Sequence, residues 1–339
     1  MHCARAGHDT LVWARETEVV EGINGAGREN TMFLPGHKCP EKLHATGDLE
    51  EMMAKSTVVL MVVPTPFIAR VMQSAIPFLR DDHLIVCCSK GIHTETLETV
   101  DEIMASALPS ERQDQVCFLS GPSFAKDVAE GRYTAVTVAA RSRTTAEKVQ
   151  VHLSTPRFRA YTSTDVAGVE LGGALKNVLA IGCGICDGLE FGHNARAALI
   201  TRGLAEITKL AAAKGANPLT LAGLSGVGDI VLTCTGDLSR NRTVGLRIGR
   251  GENLEDILKT SATAEGVLTC KAAYGLAQKL GVESPIIEGM YKVLYEGAKP
   301  EEEVQRVMTR ELGAEISPEV MKAASYNDLA SLANVGTVG

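Results

Sequence analysis

Apolar positions in the first half of the chain come in short runs that are separated by turn residues. Five such runs, rich in Val, Ile and Leu, have the length of buried strands: 9–15, 57–64, 84–90, 116–121 and 134–140. Between several of them lie stretches with helical spacing, such as 95–108 and 144–153. Alternating strands and helices are typical of a mostly parallel sheet that is covered on both faces. The pattern therefore predicts an α/β, doubly wound domain over residues 1–164.

The pattern changes at about Asp165, where long segments rich in Ala, Leu and Gly begin. Four of these segments have the spacing of helices: 165–188, 194–215, 265–281 and 284–296. They predict an all-α C-terminal domain over residues 165–310. Residues 311–339 have weak periodicity, and we expect them to form a loosely packed C-terminal tail.

Composition narrows the class of protein. The 339 residues are 45% hydrophobic and 22% charged, with a formal net charge of −7, and this length suits two domains. No uninterrupted apolar run reaches the ~18 residues that a membrane span needs, so we expect no membrane insertion. The negative net charge disfavours nucleic acid as a partner, and a small anionic ligand would have to be held by a local cluster of cations.

The nine cysteines are odd in number and lie in apolar segments, and the chain opens without a secretory signal. Both features favour a reducing, cytoplasmic location. The pairs Cys87–Cys88 and Cys183–Cys186 suggest a redox or metal site, but no second pair or His spacing completes a zinc set. We therefore expect small buried side chains and no metal.

A Rossmann-type domain normally opens with a strand, a G-x-G-x-x-G turn and a helix, which together hold a dinucleotide pyrophosphate. Three glycine pairs lack that setting: Gly25-Ala26-Gly27, Gly182-Cys183-Gly184 and Gly226-Val227-Gly228. Met1–Gly7 is instead similar to the end of the first helix, which leads into a second strand at 9–15. The sequence thus predicts a Rossmann-type domain whose first strand is missing, an upstream unit of roughly 20 residues.

The end of that second strand bears on the choice of cofactor. An acidic residue at this point favours NAD, because it meets the adenosine ribose. Here the residue is Arg15, which suits the ribose phosphate of NADP or is simply a solvated surface side chain. NAD and NADP both remain open.

One lysine stands out in the second domain. Lys176 is the only charge in Leu171–Cys186, a run of Leu, Ala, Val, Ile and Gly. Desolvation would lower the pKa of this lysine toward the range that a general acid or base needs. The alternative is a lysine that reaches the surface from the flank of the helix. The next residue, Asn177, and Gly172 with Gly173 favour a functional role, because the glycines allow close approach of a ligand or chain.

Two predicted strand ends carry further candidates. Lys90 follows the strand 84–90 in Ser89-Lys90-Gly91, and ligands of open α/β sheets collect beyond the carboxyl ends of strands. The next strand ends in Leu119–Ala125, whose glycine, proline and serines predict a tight turn with free amides and hydroxyls. A turn with a purely structural role explains that segment nearly as well.

A predicted loop over residues 226–242 brings together donors that suit a phosphate monoester, among them Arg240, Asn241 and Arg242. Asp229, in the same stretch, could orient a catalytic ammonium, or it could cap a helix. Arg240 could equally form a surface ion pair.

Several motifs in order along the chain resemble the sn-glycerol-3-phosphate dehydrogenase family. They are R-E-N-T-M-F-L-P-G (28–36), S-K-G-I (89–92), L-S-G-P-S-F-A (119–125), G-V-E-L-G-G-A-L-K-N-V-L-A-I (168–181), N-A-R-A-A-L-I-T-R-G-L-A-E (194–206), G-D-I-V-L-T-C (228–234), L-S-R-N-R (238–242), E-G-V (265–267) and V-L-Y-E-G (293–297). The resemblance implies an oxidoreductase that interconverts sn-glycerol 3-phosphate and dihydroxyacetone phosphate with NAD or NADP, linking glycolysis to glycerophospholipid synthesis. Apart from the resemblance, the Ala-rich helices of the second half could supply a dimer face, so we expect a homodimer, and the absence of a terminal Ser-Lys-Leu again favours the cytoplasm.

The resemblance also implies roles for single residues. Lys176 would accept the proton of the substrate hydroxyl, Lys90 would contact substrate and cofactor, and Asp229 would steady the two lysines. The other residues implied to contact substrate are Gly121, Ser123, Asn177, Ser239, Arg240 and Asn241. Those implied to line the cofactor, besides Lys90 and Arg240, are Arg15, Ala125 and Glu265.

Two other functions remain open from the sequence. An inactive relative that binds a phosphorylated metabolite would explain the absent G-x-G-x-x-G turn beside an intact group of phosphate-binding residues. A different hydroxyacid dehydrogenase with a helical second domain would share the fold.

Overall fold

The computed structural model describes residues 1–260, 265–316, 318 and 320–324. These residues form two compact units. Unit 1 consists of Met1–Ser89 and Glu102–Thr164, and unit 2 consists of Lys90–Asp101 and the described residues from Asp165 onward. Of the tail that we expect over 311–339, residues 325–339 lie outside the described part.

Unit 1 is built on seven short strands. They are β1 (Thr10–Trp13), β2 (Leu43–Thr46), β3 (Val58–Met61), β4 (Leu84–Cys87), β5 (Val116–Ser120), β6 (Thr134–Ala139) and β7 (Phe158–Ser163). The helices up to residue 164 are α1 (His2–Arg5), α2 (Thr17–Asn24), α3 (Leu49–Lys55), α4 (Ile68–Ala75), α5 (Val100–Ala107), α6 (Ala125–Ala129) and α7 (Arg143–Leu153).

The strands of unit 1 form two sheets. One contains β1 and β2, which run parallel, and the other has the order β3-β4-β5-β6-β7. All pairs in the larger sheet are parallel except β5 with β6, which are antiparallel. Parallel neighbours need a long crossover connection, usually with a helix, whereas β5 and β6 are joined by a segment whose helix α6 has five residues.

The predicted doubly wound α/β domain is confirmed in outline. Each of the five predicted strands corresponds to an observed strand, although the strand predicted over 84–90 ends at Cys87. The sequence did not reveal two strands, β2 with four residues and β7 with six. Their polar residues, such as His44 and Arg159, conceal the apolar alternation that marks a strand.

Unit 2 is helical. Its helices from residue 165 onward are α8 (Val166–Gly188), α9 (Gly192–Ala213), α10 (Asp229–Thr235), α11 (Arg240–Gly249), α12 (Leu254–Thr260), α13 (Glu265–Leu280), α14 (Pro285–Tyr295) and α15 (Pro300–Met308). A π-helical turn, Leu224–Gly228, precedes α10. The four predicted helices of this region are confirmed within a few residues at each end.

Helix α8 is the core of unit 2. Its N-cap is Asp165, whose side chain accepts hydrogen bonds from the backbone N–H groups of Gly168 and Asn217, each at 3.0 Å. The helix is long and apolar enough to cross a membrane, but 89% of its most apolar stretch of 18 residues is buried inside the protein. Its apolar side chains pack against α9, α10, α11 and α13, so we interpret it as a core helix.

Glycines allow α8 and α11 to approach each other at the backbone. A Cβ atom on Gly184 would lie 2.0 Å from the carbonyl oxygen of Arg242, and one on Gly245 would lie 1.9 Å from that of Ile181. Such distances leave no room for any larger residue. The close approach fixes the first turn of α11 beside the middle of α8, where Lys176 and Asn177 lie.

The interpretation of residues 226–242 as a loop is wrong. Most of this stretch is helical, in α10 and the first turn of α11, with Ser239 as the N-cap of α11. Its Asp, Ser, Asn and Thr residues favour turns locally, but packing against α8 decides the structure.

Candidate active site

Three charged side chains meet in the interior of unit 2. Asp229 is fully buried, and its two carboxylate oxygens accept hydrogen bonds from two different lysines. Lys90 Nζ donates to Oδ2 at 2.6 Å, and Lys176 Nζ donates to Oδ1. The side chain of Lys176 is 10% exposed and that of Lys90 is 18% exposed. The site thus contains one carboxylate between two amines.

This arrangement explains the protonation of the more buried lysine. One carboxylate balances one ammonium, so a second ammonium at the same place has no counter-charge and little water around it. Burial, reinforced by the charge of Lys90, lowers the pKa of Lys176 from 10.5 to about 8. Lys176 can therefore exchange a proton near neutral pH, which is the property that a general base requires.

Lys90 reaches this site because the segment that follows it packs into unit 2. Ile92 is buried in the core cluster that contains α8 and α13, and Leu97 lies against Gly275 of α13. Ile92 also pairs with Thr99, which closes the segment into a compact turn. The sequence places Lys90 at the end of a predicted strand but contains no pattern that indicates this packing.

Asp229 is positioned by the π-helical turn Leu224–Gly228. A Cβ atom on Gly172 of α8 would lie 2.5 Å from the carbonyl oxygen of Ser225, so the turn packs directly on the α8 backbone. Gly172 is one helical turn before Lys176, and Asp229 follows the π-helical turn directly. Irregular helical turns of this type are frequent at functional sites. Asp229 is the first residue of α10 but binds lysines rather than capping the helix.

The first turn of α11 contains the predicted anion-binding residues. Ser239 is buried and caps the helix, since its Oγ accepts a hydrogen bond from Arg242 N at 3.2 Å. Arg240 is exposed and has no hydrogen-bond or ion-pair partner among the residues that the structure describes. Its guanidinium is therefore available to an anion, and the ion pair considered for it in the sequence is not formed within that part of the chain.

Arg242 has a different environment from Arg240. It donates through Nε and Nη2 to Asp187 Oδ2, at 3.0 and 2.7 Å, and through Nη1 to Asp237 at 3.0 Å. Asp187 also accepts a hydrogen bond from Arg196 of α9 at 2.8 Å. These bonds tie α8, α9 and α11 together, so Arg242 serves the structure of unit 2.

Asn177 and Asn241 approach each other at Gly266. The position that a Cβ atom would take on Gly266 lies 2.7 Å from Asn241 Oδ1 and 2.8 Å from the carbonyl oxygen of Asn177. Asn177 is 5% exposed, and its side-chain amide has no partner within the described residues. Glu265, the first residue of α13, is exposed beside them. The residues predicted on α8 and α11 thus share one region of unit 2.

The remaining predicted residues lie in unit 1. Gly121 follows β5 with φ +139°, a conformation that favours glycine, and its carbonyl accepts a hydrogen bond from Ser123 Oγ at 3.0 Å. Ala125 begins α6. The side chain of Arg15 is 74% exposed and forms an ion pair with Glu16 at 3.3 Å. These residues lie at or beyond the carboxyl ends of strands β1 and β5.

The cysteines are not part of this site. Seven of the nine are buried, and all nine are free thiols. Burial raises the pKa of Cys270 to about 12 and that of Cys186 to about 11, so both are unreactive thiols at neutral pH. They pack as small apolar side chains, as predicted.

Comparison with known proteins adds independent evidence. Two family models match: NAD-dependent glycerol-3-phosphate dehydrogenase N-terminus over residues 1–146 and C-terminus over residues 165–305. A curated glycerol-3-phosphate dehydrogenase (NAD(P)+) of Citrifermentans bemidjiense is 53% identical over 313 residues, 92% of this chain and 93% of the relative. One from Myxococcus xanthus is 48% identical over 310 residues, 91% of this chain and 92% of the relative. The crystal structure of glycerol-3-phosphate dehydrogenase from Coxiella burnetii has 36% identity and a TM-score of 0.85, covering 91% of this chain and 94% of that one.

Proposed function

Because the chain belongs to the NAD-dependent glycerol-3-phosphate dehydrogenase family, we propose that Lys176 is the general base of its reaction and that the first turn of α11 holds the substrate phosphate. The protein is an oxidoreductase that interconverts sn-glycerol 3-phosphate and dihydroxyacetone phosphate with NAD(P). Its relatives at this level of identity are glycerol-3-phosphate dehydrogenases, so a different hydroxyacid dehydrogenase is not retained as an alternative.

The buried Lys90–Asp229–Lys176 group is the observation that carries the proposal. With Lys176 neutral, the charges of Lys90 and Asp229 cancel, and Lys176 takes the proton of the substrate hydroxyl at Nζ. The Lys90 ammonium stabilises the negative charge that develops on the substrate oxygen. Asp229 balances one positive charge and holds both amines in place through its two hydrogen bonds. In the reverse direction the Lys176 ammonium returns the proton to the carbonyl oxygen.

The substrate phosphate would be bound by Arg240 and Asn241, with Ser239 at the same helix start. The guanidinium of Arg240, which has no partner among the described residues, can give strong, directed hydrogen bonds to a dianion. Such anchoring fixes the distance between the hydroxyl carbon and Lys176, and this orientation accelerates the reaction beyond binding alone. Asn177, Gly121 and Ser123 would complete the substrate contacts, as the family resemblance implies.

The residues of unit 1 fit a nicotinamide dinucleotide. Ser120, the last residue of β5, is 3% exposed, and its Oγ has no hydrogen-bond partner in the described residues, so an unused donor lies next to the Gly121 turn. We propose that the cofactor is lined by the residues that the family resemblance implies, namely Arg15, Lys90, Ala125, Arg240 and Glu265. When bound, the nicotinamide ring would accept the hydride from the substrate.

The phosphate contact has a specific test. Arg240→Ala is expected to lower kcat/KM for dihydroxyacetone phosphate by about 10²-fold, since a charged hydrogen bond to phosphate is lost. At a saturating concentration of cofactor, the same substitution should lower kcat/KM for dihydroxyacetone, which has no phosphate, much less. Both values come from the rate of NADH or NADPH oxidation, followed by nicotinamide absorbance.

Arg250→Ala is the matched control for that experiment. Arg250 is exposed at the opposite end of α11, so its removal changes the net charge equally but should leave both rates unchanged. Equal losses on the two substrates in the Arg240 variant would contradict phosphate binding by this residue.

Three further properties are part of the proposal. We propose a dinucleotide-binding domain over 1–164, a helical substrate domain over 165–310 and a C-terminal tail. We also propose a cytoplasmic homodimer without membrane insertion, in keeping with its buried thiols and with the burial of α8. Size-exclusion chromatography with light scattering would determine the oligomeric state.

A further inference from the structure

Gly266 has a contact that the family resemblance does not assign. Its backbone N–H donates a hydrogen bond to Asn241 Oδ1 at 3.0 Å. Gly266 is the second residue of α13, and the N–H groups of a first helical turn have no partner within their own helix. The Asn241 side chain therefore satisfies one of these groups from another helix.

This bond determines which way the Asn241 amide faces. An N–H donor can pair only with the oxygen of a carboxamide, so the NH2 group of Asn241 must point away from Gly266. Within the described residues, that NH2 group has no protein partner. It is a pair of donors at the start of α11, and the preceding residue, Arg240, also has no side-chain partner in the described part of the chain.

The geometry requires glycine at position 266. A Cβ atom there would lie 2.7 Å from Asn241 Oδ1, 2.8 Å from the carbonyl oxygen of Asn177 and 2.9 Å from Ile181 Cδ1. Two of these three neighbours are polar atoms next to the proposed substrate, and none of the contacts is wide enough for a methyl group. A larger residue would displace the Asn241 amide from α8.

The first turn of α13, which contains Gly266, also forms a hydrogen bond with α14. Tyr295 Oη donates a hydrogen bond to the carbonyl oxygen of Val267 at 2.8 Å, so the start of α13 is tied to the end of α14. The donor that orients Asn241 is thus part of a fixed element. The preceding residue, Glu265, is one that we propose for the cofactor.

We propose that Gly266 is a positioning residue, whose N–H orients the Asn241 carboxamide so that its NH2 group faces the phosphate of the substrate. The inference rests on the proposed function, because it takes Asn241 to be a phosphate ligand. The competing explanation is that Asn241 only caps α13. The two explanations differ in whether the phosphate group is needed for the effect.

The test compares dihydroxyacetone phosphate with dihydroxyacetone. The preference for the phosphorylated substrate, taken as the ratio of the two kcat/KM values, is measured for Gly266→Ala, Asn241→Ala and the double variant. Gly266→Ala is expected to lower the ratio about tenfold, mainly through KM for the phosphorylated substrate. The two effects should be strongly non-additive, because both remove the same contact.

Gly275→Ala is the matched control. Gly275 lies on the same helix, but a Cβ atom on it would lie 3.1 Å from Leu97 Cδ2, a side-chain atom, rather than near backbone or Asn241. It should leave the ratio unchanged. If Gly266→Ala lowers both kcat/KM values equally, the residue is merely structural and the proposal is overturned.

Asn241→Asp keeps the experiment decisive should Gly266→Ala fail to fold. An aspartate in the same place still accepts the hydrogen bond of Gly266 but has no NH2 group, so the variant should fold normally and lose at least about tenfold in the ratio. An unchanged ratio in this variant would overturn the orientation that we propose. If Asn241→Ala leaves the ratio unchanged while Arg240→Ala lowers it, Asn241 is not a phosphate ligand, although the proposed function stands.

Discussion

Replacing Lys176 by Met is expected to lower kcat for the oxidation of glycerol 3-phosphate by about 10³-fold, because the general base is removed. The side chain has a similar length and is apolar, so it suits the interior of α8. Lys90 and Asp229 would remain as one ammonium beside one carboxylate, and for this reason we expect no loss of stability. The comparison requires single-turnover rates of cofactor reduction, together with the midpoint of urea unfolding.

Lys176→Arg separates proton transfer from charge at the same position. A guanidinium stays protonated at every accessible pH, so it keeps a positive charge near the substrate oxygen but cannot accept a proton. We expect a loss similar to that of Lys176→Met. Activity close to that of the native chain in the arginine variant would mean that position 176 supplies charge rather than a base.

Replacing Asp229 by Asn is expected to affect both stability and activity. Two lysines would then share a buried site without a counter-charge, and removing one partner of a buried ion pair costs about 3–5 kcal/mol of the free energy of unfolding. We also expect kcat to fall by about 10²-fold or more, since Lys90 and Lys176 lose the carboxylate that holds them in place. Urea unfolding and steady-state kinetics measure the two effects.

The stability of the Asp229→Asn variant should depend on pH. Removing the carboxylate lowers the pKa of Lys176 further below its unfolded value of 10.5, where the native chain already has it at about 8. The unfolded state then binds more protons than the folded state over a wider range below pH 10.5, so stability rises with pH across that range. The loss relative to the native chain should thus be larger at pH 6 than at pH 9.5.

Asp187→Asn provides the control for this prediction. Asp187 is a carboxylate on α8 that binds two arginines, Arg196 and Arg242. Its removal should destabilise unit 2 by an amount that differs little between pH 6 and pH 9.5, because arginines stay charged over that range. A loss of stability with the same pH dependence in both variants would mean that Asp229 has no particular connection with Lys176.

The sequence predicted the architecture because its strongest patterns agree with tertiary packing. The strands rich in Val and Ile and the long apolar helices are buried as expected. Lys176 was recognisable as the single charge in an otherwise apolar helix, and the structure buries it instead of letting it reach the surface. Lys90 was recognisable from its place after a strand.

The contacts between these residues were beyond sequence reasoning. Lys90 and Asp229 are 139 residues apart in the chain. They meet because the short segment that follows Lys90 packs into unit 2 through Ile92 and Leu97. The spacing of apolar residues in the sequence does not indicate such packing. The helices α10 and α11 were missed for a related reason, since several of their residues favour turns locally and packing against α8 makes them helical.

The hydrogen bond between Gly266 and Asn241 shows the same limit on a smaller scale. Asn241 lies in the motif L-S-R-N-R and Gly266 in the motif E-G-V, and nothing in the sequence connects the two motifs. Their proximity depends on how α11 and α13 pack on α8, and this is set by backbone distances at glycines. The sequence feature that indicates this packing is a pair of glycines four residues apart in each helix, Gly184 and Gly188 in α8 and Gly245 and Gly249 in α11.

The pH dependence of kcat/KM in both directions tests most directly whether a neutral Lys176 amine takes the substrate proton. For oxidation of glycerol 3-phosphate, kcat/KM should rise with pH and level off above a pKa of about 8. For reduction of dihydroxyacetone phosphate it should fall above the same pKa, because that direction needs the ammonium. Rates that do not change between pH 6 and 9.5, or that follow the ordinary lysine pKa of 10.5, would contradict the mechanism.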